Sequence, residues 1–274
     1  MQFERFQMSR RITPISIRPG TLSLDELHTI YRSAGPVVVE SGCRRSVEES
    51  AKVVMRAAAG DAAVYGVNTG FGKLAQTRIA SSQTAKLQRN LILSHCCGVG
   101  TPLSPEVVRL IMALKINSLG RGASGVRWEV IQQLELLLAE NIIPVVPSQG
   151  SVGASGDLAP LAHIAAVMIG EGEAEFNGEV VDAGQALGAV GIAPLVLGPK
   201  EGLALINGTQ VSTALALVGL FDAFTLACSA LITGAMACDA LMGSSTPFRH
   251  EIHRLRGHVD QLEAARLNRE LRAF

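Results

Sequence analysis

From Thr209 to Met242 the chain is dominated by Ala, Leu, Val, Thr, Ser, Gly and Cys, with Asp222 and Asp239 as its only charges. Such a stretch reads as one long helix buried against other helices, because its many small residues permit close backbone approach and tight bundling. A bilayer span needs roughly 20 apolar residues, whereas 16 separate the two aspartates. The stretch is therefore read as a bundle helix and not as a membrane span. A soluble monomer would struggle to cover it, so an oligomer or a further part of the same chain is expected to do so.

The rest of the composition narrows the classes. With 274 residues, 48% of them hydrophobic, the chain can bury a substantial core. Its 24 Lys+Arg balance 24 Asp+Glu, which gives no reason to expect nucleic acid or an anionic membrane surface as partner. The basic runs at Arg44-Arg45 and from Arg249 to Arg256 alternate with acidic or apolar neighbours and read as solvated helix faces. Five cysteines, at 43, 96, 97, 228 and 238, are odd in number and form no Cys-x-x-Cys pair. That suggests neither a disulfide framework nor a zinc ribbon and favours a reducing cytoplasm. The start, Met1 to Phe6, lacks the apolar core of a signal peptide. His250 and His253 stand three apart but have no third ligand in view, so no metal is expected.

Several helices announce themselves. Ser23 to Glu26 and Ser46 to Glu49 are capping-box patterns, the second opening a helix that runs to Gly60. Ser104-Pro105 starts a helix closed by Gly120, and the apolar spacing from Arg127 to Glu140 is helical. Leu87 to His95 reads as a helix ending near Gly98. Glu173 to Val181, broken at Asn177-Gly178, reads as a two-residue hairpin. Val37–Val39 and Ala63–Val64 look extended, and the prolines make residues 142–147 extended too. Asp157 to Ile169 reads as a helix whose positive N-terminal end faces Ala154-Ser155-Gly156.

That triplet has chemistry of its own. The amide nitrogen of Gly156 can attack the carbonyl of Ala154, closing a five-membered ring with loss of water. A second water carries away the Ser155 hydroxyl and leaves an exocyclic methylidene group. Glycine suits the attacking position because, without a Cβ, it reaches backbone angles closed to other residues. The product, a methylidene-imidazolone, is an electron sink that ordinary side chains cannot provide. Alone, however, a Gly/Ser-rich run before an apolar segment is ordinarily a turn leading into a helix.

Context changes that reading. Gly150 to His163 resembles the cofactor-forming motif of the aromatic amino acid ammonia-lyases, and three more segments resemble that family in the same order. Tyr65-Gly66-Val67-Asn68-Thr69-Gly70-Phe71-Gly72 is a glycine-rich loop, but it lacks the Gly-Lys-Ser/Thr ending of a phosphate loop, so a nucleotide is excluded. A loop tyrosine is ordinarily a packing residue and acts as a base only where its surroundings favour the phenolate. The resemblance implies that Tyr65 removes the β-proton of an amino acid. In Leu87 to Gly100, the pair Ser94-His95 resembles the histidine ammonia-lyases, which implies that His95 hydrogen-bonds a substrate imidazole. In Glu201 to Gln210, Asn207 matches an asparagine beside the cofactor ring and the substrate carboxylate, a donor for developing charge.

The resemblance runs from about Thr13 onward and covers the N-terminal half of the family's length. It implies a mainly α fold. Residues 1–207 would form a helical cofactor-forming domain with a small β-hairpin, and residues 208–274 the truncated beginning of a central helical bundle. The implied activity is non-oxidative deamination of L-histidine to urocanate and ammonia in a cytoplasmic homotetramer, without metal or nucleotide. Two other readings stand beside it: an aminomutase using the same cofactor, and a non-catalytic half-length chain acting only in association.

Overall fold

The structure, a computed structural model, describes residues 14–272. The start of the chain, on which the absence of a signal peptide was read, lies outside the described residues. In chain order the first elements are β1 (Ile15–Ile17), α1 (Leu24–Arg32), β2 (Val37–Val39) and α2 (Arg44–Ala59). There follow α3 (Thr84–His95), β3 (Val99–Pro102), α4 (Pro105–Leu119), α5 (Trp128–Ala139), β4 (Ile143–Pro144) and β5 (Pro147–Gln149). Next come α6 (Leu158–Met168), β6 (Glu173–Phe176), β7 (Glu179–Asp182), α7 (Ala183–Ala189) and α8 (Glu201–Ile206). The series closes with α9 (Gln210–Ala240), α10 (His250–Arg256) and α11 (Val259–Leu271). The described residues are thus mainly α, with short strands only, and divide into one compact unit up to Leu215 and another from Ala216.

The core of the first unit is built on α4 and α5. Leu110, Ile111, Met112, Ala113 and Ile116 of α4 are wholly buried, as are Val130, Ile131 and Leu134 of α5. Each of these side chains larger than alanine contributes about 1.5–3 kcal/mol relative to exposure. A second group positions the site: α3, α6 and α8 pack on one another in all three pairings. Helix α6 reads Leu-Ala-Pro-Leu-Ala-His-Ile-Ala-Ala-Val-Met and is buried on nearly every side. Its four alanines let the neighbouring backbones approach closely, as expected of a helix apolar all round.

Small sheets pin these helices. Strand β1 pairs in parallel with β2, Ile15 opposite Val37. Strands β4, β6 and β7 form an antiparallel sheet, and the β6–β7 turn is made by Asn177 (φ 53°) and Gly178 (φ 82°). Two left-handed residues in succession match the right-handed twist of a hairpin.

Two expectations change and one holds. Ser23 and Glu26 form the full capping box of α1, but Ser46 does not cap α2. A 3-10 turn at Ser41–Cys43 leads straight into Arg44, so α2 begins earlier and the Ser46 hydroxyl donates to the Cys43 carbonyl, 2.7 Å away. Ala63–Val64 is not a strand; the Val64 amide is instead held by the Asn68 side chain at 2.8 Å. Helix α9 forms as one unbroken element, and, as its composition implies, this chain alone does not bury it. Phe224, Leu226 and Met236 lie in water, and Ala235 is the buried exception along its second half.

Candidate functional site

The loops at the ends of α3, α6 and α8 converge. His95 is the last residue of α3, the triplet Ala154-Ser155-Gly156 lies just before α6, and Asn207 caps the C-terminus of α8. A fourth segment, the turn at 65–68, brings Tyr65. Together Tyr65, His95, Ser155 and Asn207 line one cavity of about 820 Å³. The serine is exposed, as an electrophile accessible to a ligand must be.

The triplet rests on a backbone clamp. Gly156 forms an isolated parallel bridge with Gly208, and the Asp157 amide donates to the Gly208 carbonyl at 2.7 Å. Gly156 has φ +102°, and a Cβ placed there would lie 2.4 Å from Gly208 O and 2.6 Å from Gly208 N. Only glycine fits this cradle, because backbone atoms cannot move aside as a flexible side chain can. Asp157 locks the arrangement from below. Its buried carboxylate accepts from Ser151 Oγ at 2.7 Å, from the Ser212 amide at 2.8 Å and from Ser212 Oγ at 3.0 Å. The loop before α6 and the first turn of α9 are thereby tied to one side chain. A small unhindered carbonyl at Ala154, an exposed hydroxyl at Ser155 and a backbone at Gly156 free of any Cβ fit the ring closure read from the sequence.

Around the cavity the polar groups have defined partners. His95 Nδ1 lies 2.8 Å from the Leu91 carbonyl oxygen. A carbonyl can only accept, so Nδ1 carries the proton and Nε2 of the neutral ring is an acceptor. Tyr65 is half exposed and meets Phe71 edge to face, ring centres 5.9 Å apart. The edge contact fixes the ring plane and leaves the phenol oxygen free to face a ligand. Asn207 is held at three points: its amide and its Nδ2 both donate to the Leu203 carbonyl, and its own carbonyl accepts from Lys115 Nζ at 2.9 Å. Burial alone pushes the Lys115 ammonium down to about 7.

The sequence reading missed several of these residues. Lys200 also lines the cavity; its Nζ donates to Ser124 O at 2.5 Å, and burial holds its pKa below the usual lysine value. It is the one formally charged side chain of the lining, so it favours an anionic ligand. Lys115 carried a visible signal, a charge three and four residues from Met112 and Ile111 on a buried helical face. Ser151 and Ser212 carried none, since their partner Asp157 is local to one and 55 residues from the other.

One of the two histidines of α10, His253, is engaged within the chain. His253 Nε2 donates to the Pro247 carbonyl, 2.9 Å, and Nδ1 accepts from Gln261 Nε2, 2.8 Å, so both ring nitrogens are engaged. Among the described residues, no group of three or more His, Cys, Asp or Glu side chains is arranged to hold an ion.

Known proteins resemble this chain in sequence and in fold. A histidine ammonia-lyase of Bradyrhizobium diazoefficiens is 60% identical over 259 residues, which are 94% of this chain and 50% of that protein. The solved structure of histidine ammonia-lyase from Trypanosoma cruzi matches with a TM-score of 0.87 at 34% identity, over 93% of this chain and 50% of its own. Tyrosine aminomutase from Streptomyces globisporus matches with a TM-score of 0.87 at 35% identity, over 94% and 48%. The chain spans about half the length of the relatives it matches. A family model described as aromatic amino acid lyase matches residues 22–273, and on that near-complete match the chain belongs to the aromatic amino acid lyase family.

Proposed function

We propose that this chain carries the electrophile-forming half of a histidine ammonia-lyase, which converts L-histidine to urocanate and ammonia. One observation supports the reading above others: four separate segments bring Tyr65, His95, Ser155 and Asn207 to one cavity. The ring made from Ala154-Ser155-Gly156 supplies an electron-poor carbon that activates the substrate's amine as a leaving group. Tyr65, acting as its phenolate, takes the β-proton and becomes the neutral phenol. His95 Nε2 accepts the N–H of the substrate imidazole and orients it. The second N–H of Asn207 Nδ2 donates toward charge developing near the carboxylate, and Lys200 adds a positive field on the same cavity. No metal or nucleotide is required.

The protein is incubated with L-histidine and urocanate is followed by its absorbance. Turnover by the wild type and its loss in Ser155→Ala are expected; undiminished turnover by Ser155→Ala contradicts the reading. The likeness to a tyrosine aminomutase supports a second reading, in which the amine returns to the β-carbon. A β-amino acid in place of urocanate decides for it, and the Ser94-His95 pair favours the lyase.

The same proposal includes a cytoplasmic homo-oligomer, a tetramer by resemblance. The exposed apolar side chains of α9 support it, since that surface is large for a soluble monomer. Thr225, Ser229 and Thr233 donate their hydroxyls to carbonyls four residues back, so this face can be buried without stranding a polar group. Light scattering during size exclusion measures the assembly, and a strictly monomeric protein speaks against it.

A further inference from the structure

Helix α4 carries a lysine where its neighbours are aliphatic. Lys115 sits one turn from Ile111 and Met112, both wholly buried, and is itself 3% exposed. Among the described residues its ammonium makes one hydrogen bond, to the Asn207 carbonyl oxygen. Burial alone depresses its basicity, with no neighbouring carboxylate offsetting it. A buried charge without a counter-ion is costly, and an apolar side chain of the same shape would hold the core together better. The arrangement therefore calls for a use at Asn207.

That use follows from the covalent geometry. The Asn207 carbonyl and the Gly208 nitrogen belong to one planar peptide unit, so anchoring the oxygen fixes the plane. Gly208 is the residue on which Gly156 lies and whose carbonyl receives the Asp157 amide. A plane free to rock lets Gly156 swing and lose its approach to the Ala154 carbonyl carbon. We propose that Lys115 is a positioning residue for the Ala154-Ser155-Gly156 electrophile, anchoring through the Asn207–Gly208 peptide the clamp on which Gly156 lies while the ring closes. The proposal rests on the reading that this triplet does close.

Two variants and two readouts test it. Lys115→Met keeps an unbranched side chain one atom shorter and removes the donor; Lys115→Gln keeps a neutral donor and guards against a folding defect in the first. In Lys115→Met the loss of two waters, followed by intact mass during timed expression, is expected to slow about tenfold, with partial recovery in Lys115→Gln. Amide hydrogen exchange at Asp157 is expected to quicken about tenfold, while the amides of α5 keep their protection. Unchanged exchange at Asp157 in both variants overturns the proposal, and so does quickened exchange with ring closure at the wild-type rate. Should the wild type itself retain its full mass, the ring-closure reading fails separately. Exchange at Asp157 then still decides whether Lys115 anchors the clamp.

Discussion

Replacing Gly156 by alanine puts a single methyl group where the structure has no room. The new Cβ would stand 2.4 Å from Gly208 O, 2.6 Å from Gly208 N and 2.9 Å from Gly208 C. All three are backbone atoms. Ordinary contact requires about 3.4–4.0 Å, so the strand at 156 and the peptide at 208 must separate by roughly 1 Å. That movement breaks the 2.7 Å hydrogen bond from the Asp157 amide to Gly208, worth about 0.5–1.5 kcal/mol net. Holding alanine at φ +102° adds about 1–2 kcal/mol of left-handed strain. Together the clamped arrangement becomes about 2–3 kcal/mol less favourable, on the order of a hundredfold in its population. Peptide mapping by mass spectrometry reads the fraction of chains in which residues 154–156 have lost two waters. The expected outcome is a fall of about that size with the melting curve largely kept, because the core of α4 and α5 is untouched. If Gly156→Ala closes as completely as the wild type, the clamp is not what brings the Gly156 nitrogen to its target.

Other consequences follow from the same geometry. His95→Phe removes the Nε2 acceptor while keeping a flat ring, and histidine affinity measured by calorimetry should weaken about tenfold, with His95→Gln recovering part of it; equal affinity in the phenylalanine variant removes His95 from the substrate site. Asp157→Ala strands the Ser212 amide and frees the loop from α9, so urea unfolding should report a loss of about 2–4 kcal/mol, and a loss below about 1 kcal/mol contradicts the tethering role. Lys115 gives a pH signature. Its folded pKa is depressed to about 7 from 10.5, so between these values the unfolded chain binds the extra proton and stability rises with pH. The wild type should therefore melt higher at pH 9.5 than at pH 7, by more than Lys115→Met does, and the methionine variant should melt higher than the wild type at pH 7. Parallel pH profiles for the two proteins contradict a buried ammonium.

Local features carried their own sequence signals. The Ser23–Glu26 box, Pro105 at the start of α4 and the Asn177-Gly178 turn each depend on a few consecutive residues, and each formed as read. Ser46–Glu49 had the same local grammar and lost to its neighbours: the 3-10 turn at Ser41–Cys43 had already set the chain helical by Arg44. The four motifs named the cavity's Tyr65, His95, Ser155 and Asn207, because each sits in a glycine-marked loop or helix end of fixed spacing. What lies between those residues was not legible. The approach of Gly156 to Gly208 joins segments 52 residues apart, and Lys115 reaches Asn207 across 92. Such pairings depend on how α3, α6 and α8 pack, which no local pattern encodes. Helix α9 shows the converse. Its composition announced an apolar helix that needs cover from beyond this chain, and Phe224, Leu226 and Met236 stand exposed on it.

The intact mass of the purified protein decides whether Ala154-Ser155-Gly156 becomes an electrophile. The expected wild-type mass is lower than that of the sequence by two waters, with Ser155→Ala unable to lose the water of its hydroxyl. A wild-type mass equal to that of the unmodified sequence would make the triplet an ordinary loop before α6 and overturn the ring closure.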